Sequence, residues 1–341
     1  MIDVYATHQI GDTGLRLPRI GLGTASLGNF LRPMSDEDAT AVIARALELG
    51  VRYLDTAPLY GHGLAEQRVR AAIAGVPRDE LVISTKVGRL LREGAPRDES
   101  QYFDGQPFYK DVPSAGPVWD FSEDGVRRSV QESMQRVGVD RFDILHLHDP
   151  DEHVEQASTT GYAALSRLRA DGTVQAIGAG MNRTPVLTEL VRDCDLDVVL
   201  LAGRYTLLDQ TGMDELLPMC VRRGTSVVVG GVFNSGVLVD PEPGATFDYV
   251  PAPQAVLDRA RRIRGICARH DVPMAAAAVQ FPLAHPQVCS VLLGPRSVEE
   301  LEMDLGLLSV EIPAALWADL RADNLIRPDA PGPEEKGSRD G

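Results

Sequence analysis

Short apolar runs rich in β-branched residues alternate with longer amphipathic stretches along most of this 341-residue chain. The apolar runs predict strands at residues 19–22, 53–55, 82–87, 144–148, 176–180, 198–202, 226–229 and 290–293. Apolar positions at helical spacing predict helices at residues 36–49, 64–74, 122–137, 161–170, 185–193, 214–223, 254–269 and 298–308. Strands that alternate with helices form right-handed βαβ units and a parallel sheet. Eight such units predict an α/β fold, the (β/α)8 TIM barrel.

Three segments interrupt this alternation. Residues 7–17 contain two glycines between short extended runs, which predicts an N-terminal β-hairpin over the bottom of the barrel. Residues 88–121 form a long loop after the third strand, and residues 241–253 form a proline-rich loop after the seventh. Both loops carry aromatic residues, which argues against disorder, and loops of this length are usually functional. Because both follow the carboxyl ends of strands, they belong to the face where barrel active sites lie.

Composition and charge restrict the classes of protein that fit the chain. We expect one barrel domain over residues 1–327 and a disordered tail over residues 328–341. The net charge of −15 opposes binding to nucleic acids and to anionic membranes. No apolar run reaches the ~18 residues of a membrane span, and the cysteines are spaced as in reduced cytoplasmic proteins. The sequence leaves the oligomeric state open, with a homo-oligomer as one alternative.

Charged residues end three of the predicted apolar strands. Asp55 closes the second strand, Lys86 lies near the end of the third, and His148 ends the fourth. A charge in an apolar strand is costly unless it is paired or used, so this arrangement indicates an active site. The carboxyl ends of barrel strands meet at one mouth, and Tyr60 lies on the loop that follows Asp55.

These four residue types together suit proton transfer coupled to hydride transfer. A tyrosine has an ordinary pKa of ~10, which must be lowered for proton exchange near neutral pH. We expect the Lys86 ammonium to lower the pKa of Tyr60 and Asp55 to hold Lys86 in place. His148 would then hydrogen-bond the reacting oxygen and orient it.

The same residues resemble the catalytic tetrad of the aldo-keto reductase superfamily. The resemblance rests on Asp55-Thr56-Ala57-x-x-Tyr60-Gly61, on Lys86 and on His148-x-Pro150, and it extends over residues 5–322. The chain is most similar to the bacterial branch that includes L-fucose and D-threo-aldose 1-dehydrogenases and pyridoxal 4-dehydrogenase. The stretches that indicate this branch are residues 84–91, 178–182, 200–209 and 233–236.

The resemblance implies an NAD(P)-dependent enzyme that oxidises the C1 hydroxyl of an aldose, such as L-fucose or D-arabinose, to the lactone. It implies substrate contacts from Tyr60 and His148, to which we add Trp119 because an aromatic face binds sugar C–H groups. Pyridoxal 4-dehydrogenase and a general aldehyde or ketone reductase remain as alternatives. The residues expected to bind the cofactor are Gly23, Thr24, Asp55, Asn182, Phe233, Asn234, Ser235, Gly236, Leu238, Gly294, Arg296 and Glu300.

The cofactor site departs from the superfamily pattern at several positions. Relatives often have Ser-Asn after the fifth strand, Gln on the sixth and a stacking Tyr on the seventh, where this chain has Met181-Asn182, Ala202 and Gly230. Many NADPH-dependent relatives place an Arg where this chain has Glu300, which favours NAD because a carboxylate repels a phosphate. Glu300 also has a structural interpretation, since Ser297-x-x-Glu300 is a helix capping box.

A metal-dependent barrel hydrolase is the alternative from a different class. His146 and His148 lie on one face of the fourth strand, and Asp149, Asp151 and His153 follow them closely. Such a cluster is a hint of metal ligation. It offers no ligands from other strands, and the Lys86 ammonium would disfavour a cation, so we expect no metal.

Overall fold

Eight parallel strands close into a barrel in the computed structural model, which describes residues 6–332. In chain order they are β1 Ile20–Gly23, β2 Tyr53–Asp55, β3 Val82–Val87, β4 Ile144–His148, β5 Ala176–Met181, β6 Val198–Ala202, β7 Ser226–Gly230 and β8 Val288–Leu293. Each strand pairs with its successor, and β8 pairs with β1. The predicted TIM barrel is confirmed, with strand ends that differ from the prediction by at most two residues.

Helices surround the barrel, and every predicted helix is found within a few residues of its expected bounds. They are α1 Asp36–Glu48, α2 Leu64–Ala72, α3 Glu123–Val137, α4 Tyr162–Ala170, α5 Thr184–Asp193, α6 Leu216–Arg223, α7 Gln254–Arg269, α8 Met274–Gln280, α9 Val298–Leu307 and α10 Ala314–Ala322. The sequence analysis missed α8 and α10. Helix α8 is buried on nearly all sides, so it lacks the amphipathic period by which surface helices are recognised.

The amino ends of the strands are closed by a hairpin. Strand Thr7–Gln9 pairs antiparallel with Arg16–Pro18, as predicted. Ile10 and Leu17 from this hairpin are fully buried in one apolar cluster with Tyr53, which begins β2. Because this end is filled by side chains, substrate access is confined to the carboxyl ends of the strands.

The two long loops lie at those carboxyl ends and have regular structure of their own. After β3, Arg89–Arg92 pairs antiparallel with Gly116–Trp119, and a small hairpin joins Tyr102–Phe103 to Gln106–Pro107. We call residues 88–121 the β3 insert. After β7, Thr246–Phe247 pairs with Val250–Pro251.

The end of the chain is only partly described. The predicted disordered tail covers residues 328–341, and the part from residue 333 onward lies outside the described residues. In the described part of this tail, Ala330 is buried. Among residues 6–332, no helix combines the length and the apolar character needed to cross a membrane.

Candidate active site

Asp55 and Lys86 form an ion pair at the carboxyl end of the barrel. The carboxylate Oδ2 of Asp55 accepts a hydrogen bond from Lys86 Nζ at 2.7 Å, and both side chains are 2% exposed. The other oxygen, Oδ1, accepts from Ser84 Oγ at 2.6 Å, and that hydroxyl lies 3.1 Å from the Tyr53 hydroxyl. A buried ion pair is tolerated when its remaining lone pairs are satisfied, and this network satisfies them.

Sequence reasoning missed Tyr53 and Ser84, although a signal was present. Each lies two positions before a predicted site residue, Asp55 or Lys86, on the same strand. Side chains two apart on a strand share a face, so the alternation predicts that all four point into the barrel.

Tyr60 lies over this ion pair and beside His148. Its ring centroid is 4.5 Å from Lys86 Nζ and 5.8 Å from the imidazole centroid of His148. The loop after β1 packs its backbone directly on this turn, because a Cβ on Gly28 would lie 2.7 Å from the carbonyl carbon of Tyr60. Gly61 has a φ of 65° and makes the matching close approach to Gly28. The structure thus brings together the four side chains of the predicted tetrad.

The expected lowering of the Tyr60 pKa is not found, and this corrects the sequence-based interpretation. The pKa of Tyr60 is raised well above its ordinary value of 10.0, chiefly because burial penalises the phenolate and next because Asp55 and Asp149 are negative. Arg89 opposes the rise. Since Asp55 largely neutralises Lys86, the ammonium alone cannot offset the burial of Tyr60.

His148 is held neutral. Burial lowers its pKa well below 6.5, and the positive charges of Arg89 and Lys86 lower it further. Its Nδ1 has no hydrogen-bond partner among the described residues. A neutral imidazole can both donate and accept, so His148 can hydrogen-bond a substrate oxygen without adding a charge.

A cavity of about 230 Å³ opens above the tetrad. This is below the roughly 300–1,000 Å³ of pockets for drug-sized ligands and suits a small substrate. Three loops supply an aromatic wall, because Phe30 lies 5.2 Å from Tyr109 of the β3 insert and 4.8 Å from Tyr249 of the β7 loop, measured between ring centroids. The cavity is lined by Ala25, Phe30, Leu59, Tyr60, Lys86, Ser100, Gln101, Phe108, Tyr109, His148, Asp149, Gly180, Met181, Asn182, Leu200, Ala202 and Tyr249.

Trp119, the predicted substrate contact, does not line this cavity. Its ring lies 4.0 Å from the guanidinium carbon of Arg89 and 4.9 Å from the His153 ring, and it stacks on Phe121. The β3 insert does form part of the cavity wall, but it does so through Phe108 and Tyr109. Aromatic content identified the insert, whereas only tertiary contacts distinguish its inward-facing rings.

The residues of the alternative metal cluster point in different directions. His146 is buried inside the barrel, Asp151 pairs with Arg183 at 3.3 Å, and His153 packs on Trp119. Within residues 6–332, no group of three or more His, Cys, Asp or Glu side chains is placed to hold a metal ion.

The residues expected near the nicotinamide have distinct environments. Asn182 is exposed at the cavity edge, and Gly23 pairs with Asp55 across the two neighbouring strands. Thr24 is buried, and both its amide and its hydroxyl donate to the Asp55 carbonyl at 3.0 Å. Thr24 therefore supports the backbone of a tetrad residue.

The loop expected along the pyrophosphate is partly internal. Asn234 is buried, accepts a hydrogen bond from the Thr206 hydroxyl and donates one to the Gly203 carbonyl, and Leu238 is fully buried. Phe233, Ser235 and Gly236 are partly exposed and can face a ligand. This loop thus combines internal anchors with an accessible surface.

The start of α9 carries the remaining predicted cofactor residues. Glu300 accepts a hydrogen bond from the Arg296 amide at 2.7 Å, while Ser297 accepts from the Glu300 amide at 3.1 Å. The predicted capping box is therefore only half formed, because Glu300 binds the amide one residue before Ser297. Gly294 is exposed, and a surface depression of about 390 Å³ lies against Arg32 and this helix start.

This donor set fits an anionic dinucleotide. Free amides and the dipole at a helix start favour phosphate. Arg32 and Arg296 border the depression, together with the carboxylates of Asp38, Glu299 and Glu300. Arg296 is partly committed, since its guanidinium donates to the carbonyls of Phe30 and Arg32 at 2.6 and 2.9 Å. Arg32, which sequence reasoning missed, is 67% exposed and lies 4.0 Å from Glu300.

Comparison with known proteins agrees with the fold and with the predicted family. The sequence profile described as "Aldo/keto reductase family" matches residues 19–324. The chain belongs to this family and is an NAD(P)-dependent oxidoreductase. Its barrel is similar to the holo form of the aldo-keto reductase AKR11C1 from Bacillus halodurans, with a TM-score of 0.72, 25% identity and coverage of 94% of this chain and 96% of that one.

Two relatives indicate the branch within the family. The chain is 44% identical to a D-threo-aldose 1-dehydrogenase from a Pseudomonas species, over 92% of this chain and 96% of the relative. It is 39% identical to a pyridoxal 4-dehydrogenase from Microbacterium luteolum, over 93% of this chain and 97% of the relative. These relatives confirm the branch predicted from the sequence motifs.

Proposed function

We propose that the protein oxidises the C1 hydroxyl of an aldose, such as L-fucose or D-arabinose, to the lactone. The observation that carries this proposal is the tetrad at the end of a small cavity that offers both aromatic faces and polar groups. A cyclic aldose presents apolar C–H faces and hydroxyl groups together, so it matches both kinds of wall. The similarity to a D-threo-aldose 1-dehydrogenase supports the same substrate class.

The four tetrad residues divide the proton chemistry between them. Tyr60 takes the proton of the C1 hydroxyl, and neutral His148 hydrogen-bonds the same oxygen. Asp55 holds Lys86 beneath the Tyr60 ring, where its charge favours the phenolate that accepts this proton and becomes the phenol. A bound oxidised nicotinamide dinucleotide would supply the hydride acceptor and a positive ring charge. Asn182, Ser235 and Gly236 at the barrel mouth would hold the dinucleotide. Arg296 and Glu300 would hold the end of it that lies away from the nicotinamide.

We propose that NAD is the preferred nucleotide. The Glu300 carboxylate lines the depression at the start of α9, where it would repel the additional phosphate of NADP and can accept from a ribose hydroxyl. Arg32 lies nearby, but its side chain is 67% exposed against 43% for Glu300, so solvent screens the attraction of Arg32 for a phosphate more than the repulsion by Glu300. The four cysteines are free and buried, which suits the reducing cytoplasm that we propose as the location.

Pyridoxal is the second candidate substrate. Its aromatic ring would pack on the wall formed by Phe30, Phe108 and Tyr249, and a relative at 39% identity is a pyridoxal 4-dehydrogenase. Oxidation of its cyclic hemiacetal would use the same tetrad. A general aldehyde or ketone reductase is the third candidate, although a simple aldehyde would leave the polar groups of the cavity wall without hydrogen-bond partners.

The test is a substrate screen with both nucleotides. Purified protein is incubated with L-fucose, D-arabinose, other aldoses or pyridoxal, and formation of NADH or NADPH is followed by absorbance. We expect aldoses with NAD+ to give the highest kcat/KM, and Tyr60→Phe to lower the rate in the same assay by roughly 10²- to 10⁴-fold. Higher kcat/KM for pyridoxal would favour the second candidate, and turnover of simple aldehydes with no oxidation of either group would contradict both.

A further inference from the structure

A carboxylate on the cavity wall has no part in the tetrad. Asp149 lines the cavity beside Tyr60, Lys86 and His148, and its side chain is 31% exposed. Its Oδ2 lies 3.1 Å from Arg89 Nη2 and 3.5 Å from His148 Nε2. A charged group is therefore held next to the place where the reacting carbon must lie.

Arg89 holds this carboxylate in position. The guanidinium is 4% exposed, lies over the Trp119 ring and has Asp98 at 3.9 Å, so its own position is set by packing on several sides. Its Nη2 donates to Asp149, while its Nε and Nη1 have no hydrogen-bond partner among the described residues. A buried cation needs a counter-ion, and Asp149 is the nearer of the two carboxylates that pair with Arg89 and the one that accepts its hydrogen bond.

The backbone also directs Asp149 inward. It has a φ of 40°, which is uncommon for a residue other than glycine, and its amide donates to the Gly180 carbonyl at 3.0 Å. Such a conformation persists where the surrounding structure over-determines it. The carboxylate is thus fixed from both the backbone and the side chain.

The free oxygen of Asp149 can only accept hydrogen bonds. Arg89 takes Oδ2, whereas Oδ1 accepts from no group in the described part of the chain. An ionised carboxylate has about four acceptor positions, and desolvating it without donors is costly. A substrate that enters this cavity must therefore bring hydroxyl donors or leave the carboxylate unpaired.

We propose that Asp149 is the specificity residue of this site, and that its carboxylate accepts hydrogen bonds from the ring hydroxyls of a polyhydroxylated substrate. Arg89 is the positioning residue that aims it. This inference rests on the proposed aldose oxidation and adds the group that selects sugars over simple aldehydes. A site built to hydrogen-bond a hydroxyl discriminates strongly against analogues that lack it.

The test compares two substrates that present the same reacting group. One is an aldose, L-fucose or D-arabinose, and the other is a hydroxytetrahydropyran that carries only the anomeric hydroxyl. The measured quantity is the ratio of their kcat/KM values with the same nucleotide. Since both are measured on one preparation, the fraction of folded enzyme and any change in the tetrad cancel in the ratio.

We expect Asp149→Ala to lower this ratio by about 10- to 100-fold, the value of hydrogen bonds to one charged group. Asp149→Asn should fall between Ala and the wild type, because an amide oxygen still accepts but carries no charge. The loss should appear more in the KM of the aldose than in its kcat. Asp151→Asn is the matched control, since Asp151 lies two residues away, pairs with Arg183 and does not line the cavity, and we expect its ratio to equal that of the wild type.

The outcomes separate this inference from the proposed function. If Asp149→Ala slows both substrates equally, Asp149 acts on His148 or on folding, and the specificity role is overturned while aldose oxidation stands. If the wild type oxidises the hydroxytetrahydropyran and no aldose, both proposals are overturned.

Discussion

Acidification should destabilise this protein through His146, which lies inside the barrel and outside the tetrad. His146 is fully buried on β4, in register with Lys86 on β3 and Gly178 on β5. Neither ring nitrogen has a hydrogen-bond partner among the described residues. Burial, with a smaller contribution from the Lys86 charge, lowers the pKa of His146 from 6.5 to about 3. The native barrel therefore holds a neutral imidazole.

The size of the effect follows from proton linkage. The imidazole of the unfolded chain binds a proton near pH 6.5, whereas that of the native chain binds it only near pH 3. The native state therefore has its full stability above pH 6.5, and its unfolding free energy decreases as the pH falls from 6.5 toward 3. The gap of about 3.5 pH units corresponds to about 5 kcal/mol at about 1.4 kcal/mol per unit. At pH 4.5, about two units below 6.5, the loss is roughly 3 kcal/mol.

The assay is urea unfolding of the wild type and His146→Leu at pH 8 and at pH 4.5. Titrating groups that do not interact with His146 contribute equally to both proteins, so they cancel when the pH effect on the variant is subtracted from that on the wild type. We expect the wild type to lose about 3 kcal/mol more unfolding free energy than the variant. The variant at pH 8 is the control for altered packing. An identical loss in both proteins would refute the assignment of a neutral, unpaired His146.

Further predictions concern catalysis and cofactor choice. Tyr60→Phe should lower kcat by roughly 10²- to 10⁴-fold with little change in nucleotide affinity, and full turnover would contradict its proton-transfer role. Because burial and Asp55 raise the Tyr60 pKa, the rate of oxidation should increase with pH through the neutral and alkaline range, and a flat pH–rate profile would argue against Tyr60 as the base. Glu300→Arg should shift preference toward NADP+ by about 1 kcal/mol or more, measured as the ratio of kcat/KM values, and no shift would leave Glu300 as a helix cap. Phe108→Ala should raise KM for sugars with nucleotide affinity retained, whereas an unchanged sugar profile would exclude Phe108 from the substrate wall.

The barrel and the tetrad could be predicted because both depend on local patterns. Apolar runs between amphipathic segments define parallel strands, and Asp55, Lys86 and His148 each lie at or next to the end of such a run. The closure of a parallel barrel then brings strand ends to one mouth whatever the details of packing. The position of Ser84 in the site could also have been predicted from the sequence, because Ser84 shares a strand face with Lys86.

Other features arise only in the folded structure. Phe30, Tyr109 and Tyr249 come from three loops far apart in the chain, and no local sequence pattern predicts that their rings are in contact. The pairing of Arg89 with Asp149 bridges 60 positions, and the same guanidinium lies over the ring of Trp119, which does not line the cavity.

The pKa of Tyr60 shows most clearly what sequence could not decide. Residue types alone indicated a lysine that would lower it, whereas the structure shows burial and two carboxylates raising it. The sign of such a shift depends on the balance between desolvation and all nearby charges. The sequence by itself determined which chemical groups reach the barrel mouth. Only the tertiary structure decided their distances, their burial and therefore their protonation.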